Sequence, residues 1–179
     1  MVKRGIYFVR DNQLFVKTVE IPWDKESMEV NKTYGSEEIF KQALPVMQPC
    51  VDVSHASALR ATKQLSVYNV VDSNGRKIKE SWDMLDNSKE VDFLPPGSYD
   101  LLYLSSLNEF QFRYALSVGS FYDTYFNPDK KKSSPAIACA ALQLLYKQNK
   151  VDYLNDMNKF LHWYYVNCRF PLEFCEHYL

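Results

Sequence analysis

Leu65-Ser66-Val67-Tyr68-Asn69-Val70-Val71, then Asp72-Ser73-Asn74-Gly75, then Glu80-Ser81-Trp82-Asp83-Met84-Leu85-Asp86-Asn87-Ser88-Lys89: the reading of the chain turns on this stretch. The first segment is rich in β-branched and aromatic residues, which argues a strand over 65–71. Asn74-Gly75 is a strong turn signal. The charged segment reads as a helix from about 80 to 90, with Trp82, Leu85 and Lys89 along one face and Asp86 beside them. A strand, a glycine turn and a helix make a compact βα corner, a common place for a pocket.

Toward the N-terminus, 6–9 and 14–21 alternate as two short strands joined at Asp11-Asn12-Gln13. Pro22-Trp23 ends the second. Ser36 is placed to cap a helix over 37–44, whose acidic first turn suits the helix dipole and which Pro45 stops. A short strand is expected at 51–53, and Ser57 caps a helix over 58–63.

Beyond Pro95-Pro96-Gly97, Ser98 is placed to cap a helix over 99–107, and a second helix over 109–118 stops at Gly119. Residues 121–127 read as aromatic and extended. Pro135 sits at the first position of an alanine- and leucine-rich helix over 136–150, and a last helix runs from about 152 to 169. Strands gather early and helices late, which predicts an α+β fold: a small N-terminal sheet with a mostly helical C-terminal half, in one domain over 1–179.

Lys+Arg 21 against Asp+Glu 22 leaves a net charge of −1, so no global pull toward nucleic acid or an acidic membrane exists, and any such binding needs a local patch. No run approaches the length of a membrane span, and the N-terminus lacks the apolar core of a signal peptide. A soluble cytoplasmic protein with free thiols is the expectation, with no membrane partner. Tyr, Phe and Trp make up 15% of the residues; they serve a core or stack on flat ligands.

Cys168, Cys175 and His177 are the one conceivable soft-metal cluster, but their spacing matches no zinc pattern, so neither metal nor cofactor is expected. His162, in the aromatic run Phe160-Leu161-His162-Trp163-Tyr164-Tyr165, reads as a packed imidazole. Lys130-Lys131-Lys132 ahead of Ser133-Ser134-Pro135 puts ammonium groups before a helix N-terminus, either an anion site or a solvated charge run. Glu80, Asp83, Asp86 and Lys89 can serve acid–base work or be ordinary ion pairs on a wet face.

The turn and helix together resemble the NADAR domain. Its members read Leu-Ser-Asn-aromatic, then a turn glycine, then serine, glutamate, a tyrosine–glutamine pair and a lysine on a helix. Leu65-Ser66-Val67-Tyr68-Asn69 is similar to the first part, and Gly75 falls 14 residues before Lys89. The order of motifs along the chain resembles the NADAR-type antitoxins encoded beside DarT-type DNA ADP-ribosyltransferases. In sequence these are the opening hairpin with Trp23, Val53-Ser54-His55-Ala56-Ser57, Tyr99-Asp100-Leu101-Leu102-Tyr103, and Tyr125-Phe126-Asn127-Pro128 with its lysines.

The resemblance implies an N-glycosidase that removes ADP-ribose from guanine in DNA. Its partners would be ADP-ribosylated nucleic acid or an ADP-ribose-like small molecule, and a DarT-type toxin. It implies Lys89 and Asp86 as catalytic residues, and Ser66, Tyr68, Asn69, Trp82, Tyr99, Asp100, Asn127, Lys130, Lys131 and Ser133 as substrate-binding. This chain departs at the helix: Trp82 stands where the family has its glutamate, Glu80 aligns with the serine, and Leu85-Asp86 with the tyrosine–glutamine pair. Asp86, one turn on from Trp82, is the substitute carboxylate. The alternative is an inactive relative that holds a nucleotide between Trp82, Tyr68 and Tyr99, or grips a protein partner.

Overall fold

The structure is a computed structural model. It describes every residue except 24, 25, 27, 44, 45, 47, 55, 56, 58, 89–93, 127–132 and 175–179, and gives the backbone alone over 28–34 and at 36. The fold is α+β, with the sheet built largely from the N-terminal half and helices dominating the C-terminal half.

β1 (Val2–Arg10) and β2 (Gln13–Ile21) form an antiparallel hairpin with Arg10 opposite Gln13. Asp11 and Asn12 both take positive φ (50° and 56°), the backbone that a two-residue hairpin turn needs to match strand twist. β3 (Cys50–Asp52) and β4 (Ser120–Tyr122) run parallel, and β4 lies antiparallel to β1. β5 (Leu172–Glu173) pairs parallel with β2, giving the five-stranded order β3-β4-β1-β2-β5. β1 is thus central and buried on both faces. Ile6 and Phe8 pack toward α1 (Met28–Ala43), while Tyr7 and Val9 pack toward the C-terminal helices.

The middle of that second face is α6 (Pro135–Lys147), whose Ala138, Cys139, Ala140, Ala141, Leu142 and Leu144 are all fully buried. Ser134 caps it, its Oγ accepting from Ile137 N at 3.4 Å, and Pro135 gives up an N–H that the first turn would leave unpaired. Around α6 pack α4 (Ser98–Ser105), α5 (Glu109–Ser117) and α7 (Met157–Asn167). α2 (Arg60–Lys63) and α3 (Ile78–Asp86) complete the helices described.

Several expectations are corrected. Residues 65–71 are not a strand; they extend α2 as a chain of tight turns, with Leu65 N bonded to Thr62 O, Ser66 N to Lys63 O and Asn69 N to Ser66 O. Among the described residues no strand pairs with 65–70, and two side chains clamp the turn. Tyr103 OH donates to Leu65 O at 2.5 Å and Gln111 Nε2 donates to Gln64 O at 2.8 Å. Tertiary partners thus override a local β preference. Val71 alone bridges Lys77 across the Asp72–Gly75 turn, which forms with Gly75 at φ 79°.

α1 begins at Met28 and passes through Ser36, so Ser36 is not a cap. Gly35 lets the helix approach the sheet: a Cβ there would lie 3.3 Å from Ile21 Cδ1. Pro45, expected to stop that helix, lies outside the described residues. Ser57 stands upstream of α2, whose cap is Leu59, and bonds Thr62 Oγ1 instead. Ser98 opens α4 rather than capping it, its Oγ donating to Pro95 O at 2.7 Å; the cap is Gly97 at φ 94°.

Asp156 caps α7 through Lys159 N at 3.1 Å, splitting the expected last helix into a 3-10 turn (Val151–Asn155) and α7. β4 occupies the start of the extended 121–127 segment, and a turn follows it. His162 is exposed, not packed, because α7 turns Phe160, Trp163 and Tyr164 to the core and leaves it on the outer face. Cys168 is buried; Cys175, His177 and His55 lie outside the described residues, among which no three side chains could hold a metal ion. No described helix is long and apolar enough to cross a membrane.

Candidate functional site

β3 and β4 run parallel and end side by side at Asp52 and Tyr122, and the N-terminus of α6 faces the chain just beyond them. A cavity of about 330 Å³ opens here, walled on its other sides by the 65–69 turn, α3 and the start of α4. Its volume is at the lower end of the ~300–1,000 Å³ range of small-molecule sites.

The strand ends are held by a buried carboxylate. Asp52 Oδ2 accepts from Thr124 Oγ1 at 2.9 Å, and its Oδ1 from Ser54 N at 2.9 Å. Burial raises the Asp52 pKa, and these hydrogen bonds oppose the rise. Arg4 Nε donates to Thr124 O at 2.5 Å from the far side, its guanidinium lying 4.7 Å over the Trp23 ring. Asp123, next along, takes the N–H groups of Tyr125 (2.9 Å) and Phe126 (3.2 Å), so Tyr125 and Phe126 are fixed in the lining.

The opposite wall is set by α3. Its first N–H groups bond back to the turn, Ile78 N to Val70 O and Lys79 N to Val67 O, both at 2.9 Å, so the helix needs no side-chain cap. Trp82 and Asp86, one turn apart, consequently line the same cavity. The Trp82 indole meets Tyr99 edge-on at 5.6 Å and Tyr103 at 6.3 Å. Its Nε1–H is enclosed and has no acceptor among the described residues. Asp86 Oδ1 accepts from Tyr99 OH at 2.6 Å, and burial followed by this bond pushes the Tyr99 phenol pKa upward. Lys79 and Asp83, also in the lining, form an ion pair with each other.

Of the residues expected from sequence, Ser66, Tyr68, Trp82, Asp86, Tyr99 and Ser133 line this one cavity. Asn69 supports it: its Nδ2 donates to Lys63 O at 2.7 Å and Ser66 Oγ at 3.1 Å, holding the turn. Asp100, expected to bind substrate, is 1% exposed and is not among the lining residues, its carboxylate accepting from Ser133 Oγ at 2.8 Å. Burial raises its pKa to about 7, against the opposing hydrogen bonds from Ser133 and Tyr164. Lys89, Asn127, Lys130 and Lys131 lie outside the described residues.

Sequence reasoning missed Ser54, Lys79 and Asp123 as lining residues, while Asp83, read as an acid–base group or an ordinary ion-pair partner, lines the cavity paired with Lys79. Ser54 stood in a quoted motif. Asp123 was hidden by reading 121–127 as one extended run, although Asp directly after an apolar strand is itself a turn signal.

Chemically, the cavity joins aromatic faces for a flat ring, hydroxyls, and carboxylates at Asp86 and Asp123, with a helix N-terminus at one edge that favours an anion. No family model matches the chain, and no curated protein matches it.

Proposed function

We propose that this chain is an N-glycosidase that takes a ribosylated base into the cavity between α3, α4 and the ends of β3 and β4, and that its substrate is guanine in DNA carrying ADP-ribose. The observation that carries the reading is the Asp86–Tyr99 pair in an aromatic-lined cavity. One Asp86 oxygen accepts from the phenol, and the second takes no hydrogen bond among the described residues.

Cleavage of such a bond passes through a sugar carbon with oxocarbenium character, which a fixed carboxylate stabilises. Asp86 also accepts a proton from the attacking water as it bonds to that carbon, while the bond to the base nitrogen breaks and the base leaves with its electron pair. Tyr68, Tyr99 and Tyr125 offer aromatic surface to the base, and the α6 N-terminus suits the pyrophosphate. Lys89 acts as the amine that positions the substrate for this water; as the attacking group it would take the sugar carbon in place of water. The role follows the resemblance, and the antitoxin role opposite a DarT-type transferase follows with it.

The test is a DNA oligonucleotide ADP-ribosylated on guanine, incubated with purified protein and followed by chromatography. Free ADP-ribose and restored guanine are the expected products. Unchanged substrate in the presence of folded protein defeats the hydrolase reading.

A second reading is favoured by Trp82, which puts an indole where the resembled family carries a carboxylate. The chain is then a binding module for ADP-ribose or a nucleotide. Calorimetry would give saturable binding with no turnover, lost in Trp82→Ala; binding that ignores this substitution counts against it.

A further inference from the structure

A second cavity, of about 510 Å³, lies on the same face of the sheet but beyond the first turn of α4, between the β1–β2 hairpin, loop 94–97 and the C-terminal end of α7. Its walls are mainly apolar or aromatic: Tyr7, Val16, Ile137, Tyr164, Phe170 and Pro171. Two of the hydroxyls that border it are already engaged, one buried and one at the exposed edge. Tyr164 bonds Asp100, and Thr18 Oγ1 donates to Glu173 Oε2 at 3.1 Å. Arg4 also borders the cavity, but its guanidinium is committed to Thr124 O, Lys3 O and the Trp23 ring.

Arg169 is different. It lines the exposed edge, and its guanidinium is held in place by two rings, 4.6 Å from Tyr165 and 4.9 Å from Phe170. Among the described residues it has no ion pair. Stacking orders the planar fork without using its in-plane donors, which match the two oxygens of a carboxylate. An apolar chamber with Arg169 at its rim, a cation without an ion pair among the described residues, is complementary to a molecule with an apolar body and a single anionic end.

We propose that this cavity is a binding site for a small apolar carboxylate, its body between the β1–β2 hairpin and α7 and its carboxylate on Arg169. Alkyl and aryl acids share this chemistry, and the experiment separates them. The site is independent of the glycosidase reading, because it uses neither Asp86 nor Trp82.

The test titrates decanoate and cinnamate into the full chain by calorimetry, each beside its neutral amide, with wild type and Arg169→Gln. Arg169 is exposed, and a thermal melt of Arg169→Gln matching wild type checks that the variant is folded. Backbone amide shifts locate the ligand. At least one acid is expected to bind saturably and to weaken about tenfold or more in Arg169→Gln and as its amide. The shifts should cluster at Gly97, Arg169 and Phe170. Binding of decanoate alone assigns an alkyl acid, and of cinnamate alone an aryl acid. The proposal falls if neither acid binds, if Arg169→Gln or the amide binds equally well, or if the shifts centre on Trp82 and Asp86.

Discussion

Tyr99 donates its phenolic proton to Asp86 Oδ1 at 2.6 Å, joining α4 to the end of α3 across the rim of the first cavity. One short contact therefore fixes both the direction of the carboxylate and the position of an aromatic wall.

Removing the carboxylate and removing its partner should have unequal effects. Asp86→Asn is expected to lower turnover of ADP-ribosylated DNA by roughly 10²–10⁴-fold while leaving affinity within a few-fold. Tyr99→Phe leaves the carboxylate in place but free to rotate, so a loss of about tenfold is expected. Steady-state rates of ADP-ribose release for the two variants check the ranking.

Asp100 makes stability depend on pH. Burial raises its pKa from 3.8 to about 7. As pH rises through 3.8 the unfolded chain loses this proton first, while the folded chain holds it until about 7. The native state therefore binds more protons in that window, and this group's contribution makes stability fall as pH rises through it. Full ionisation costs on the order of 4 kcal/mol. Urea denaturation from pH 4 to 8 should show that slope in wild type and lose it in Asp100→Asn, which keeps an acceptor for Ser133.

Two glycines with positive φ should respond differently to alanine. A Cβ at Gly97, φ 94°, would lie 2.6 Å from Tyr164 Cγ, whereas one at Gly75, φ 79°, meets nothing within 4 Å. Gly97→Ala is expected to cost roughly 2–5 kcal/mol from strain and overpacking together, and Gly75→Ala about 1–2 kcal/mol from backbone strain alone. Thermal melts of both variants give the comparison.

Gln111 serves two structures at once. Its side chain completes the capping box of α5, Oε1 accepting from Asn108 N at 2.9 Å, while Nε2 holds Gln64 O. Gln111→Ala should cost about 1–3 kcal/mol and raise amide exchange over 64–69 more than elsewhere. Hydrogen exchange by mass spectrometry reads the difference.

The legible parts of the fold are those whose signals are local. Asp11-Asn12 announces the hairpin by backbone preference, Asn74-Gly75 the turn, and Ser134-Pro135 the start of α6. Residues 65–71 mislead because their β-branched composition describes burial as well as extension. What decides their shape is Tyr103 and Gln111, 38 and 47 residues from their acceptors. Ser36 misleads for a related reason: a helix pressed on the sheet tolerates Gly35 and runs on.

The site was partly legible. Trp82 and Asp86 share a wall because they are one helical turn apart, and that spacing is visible in sequence. Tyr99 and Ser133 reach the same cavity only through α4 packing on α6. Asp123 and Ser54 enter it because β3 and β4 are parallel neighbours, a pairing between segments about 70 residues apart with no local signature. Asp100, polar and beside Tyr99, reads as a ligand contact, but the helix turns it inward to Ser133 and Tyr164.

The central claim is that the carboxylate of Asp86 acts on a ribosyl–base bond in the first cavity. Wild type and Asp86→Asn should be compared on the same guanine-ADP-ribosylated oligonucleotide, measuring ADP-ribose release and binding in parallel. The account predicts release by wild type, little or none by Asp86→Asn, and binding by both. Equal release by the two proteins, or none by either, would contradict it.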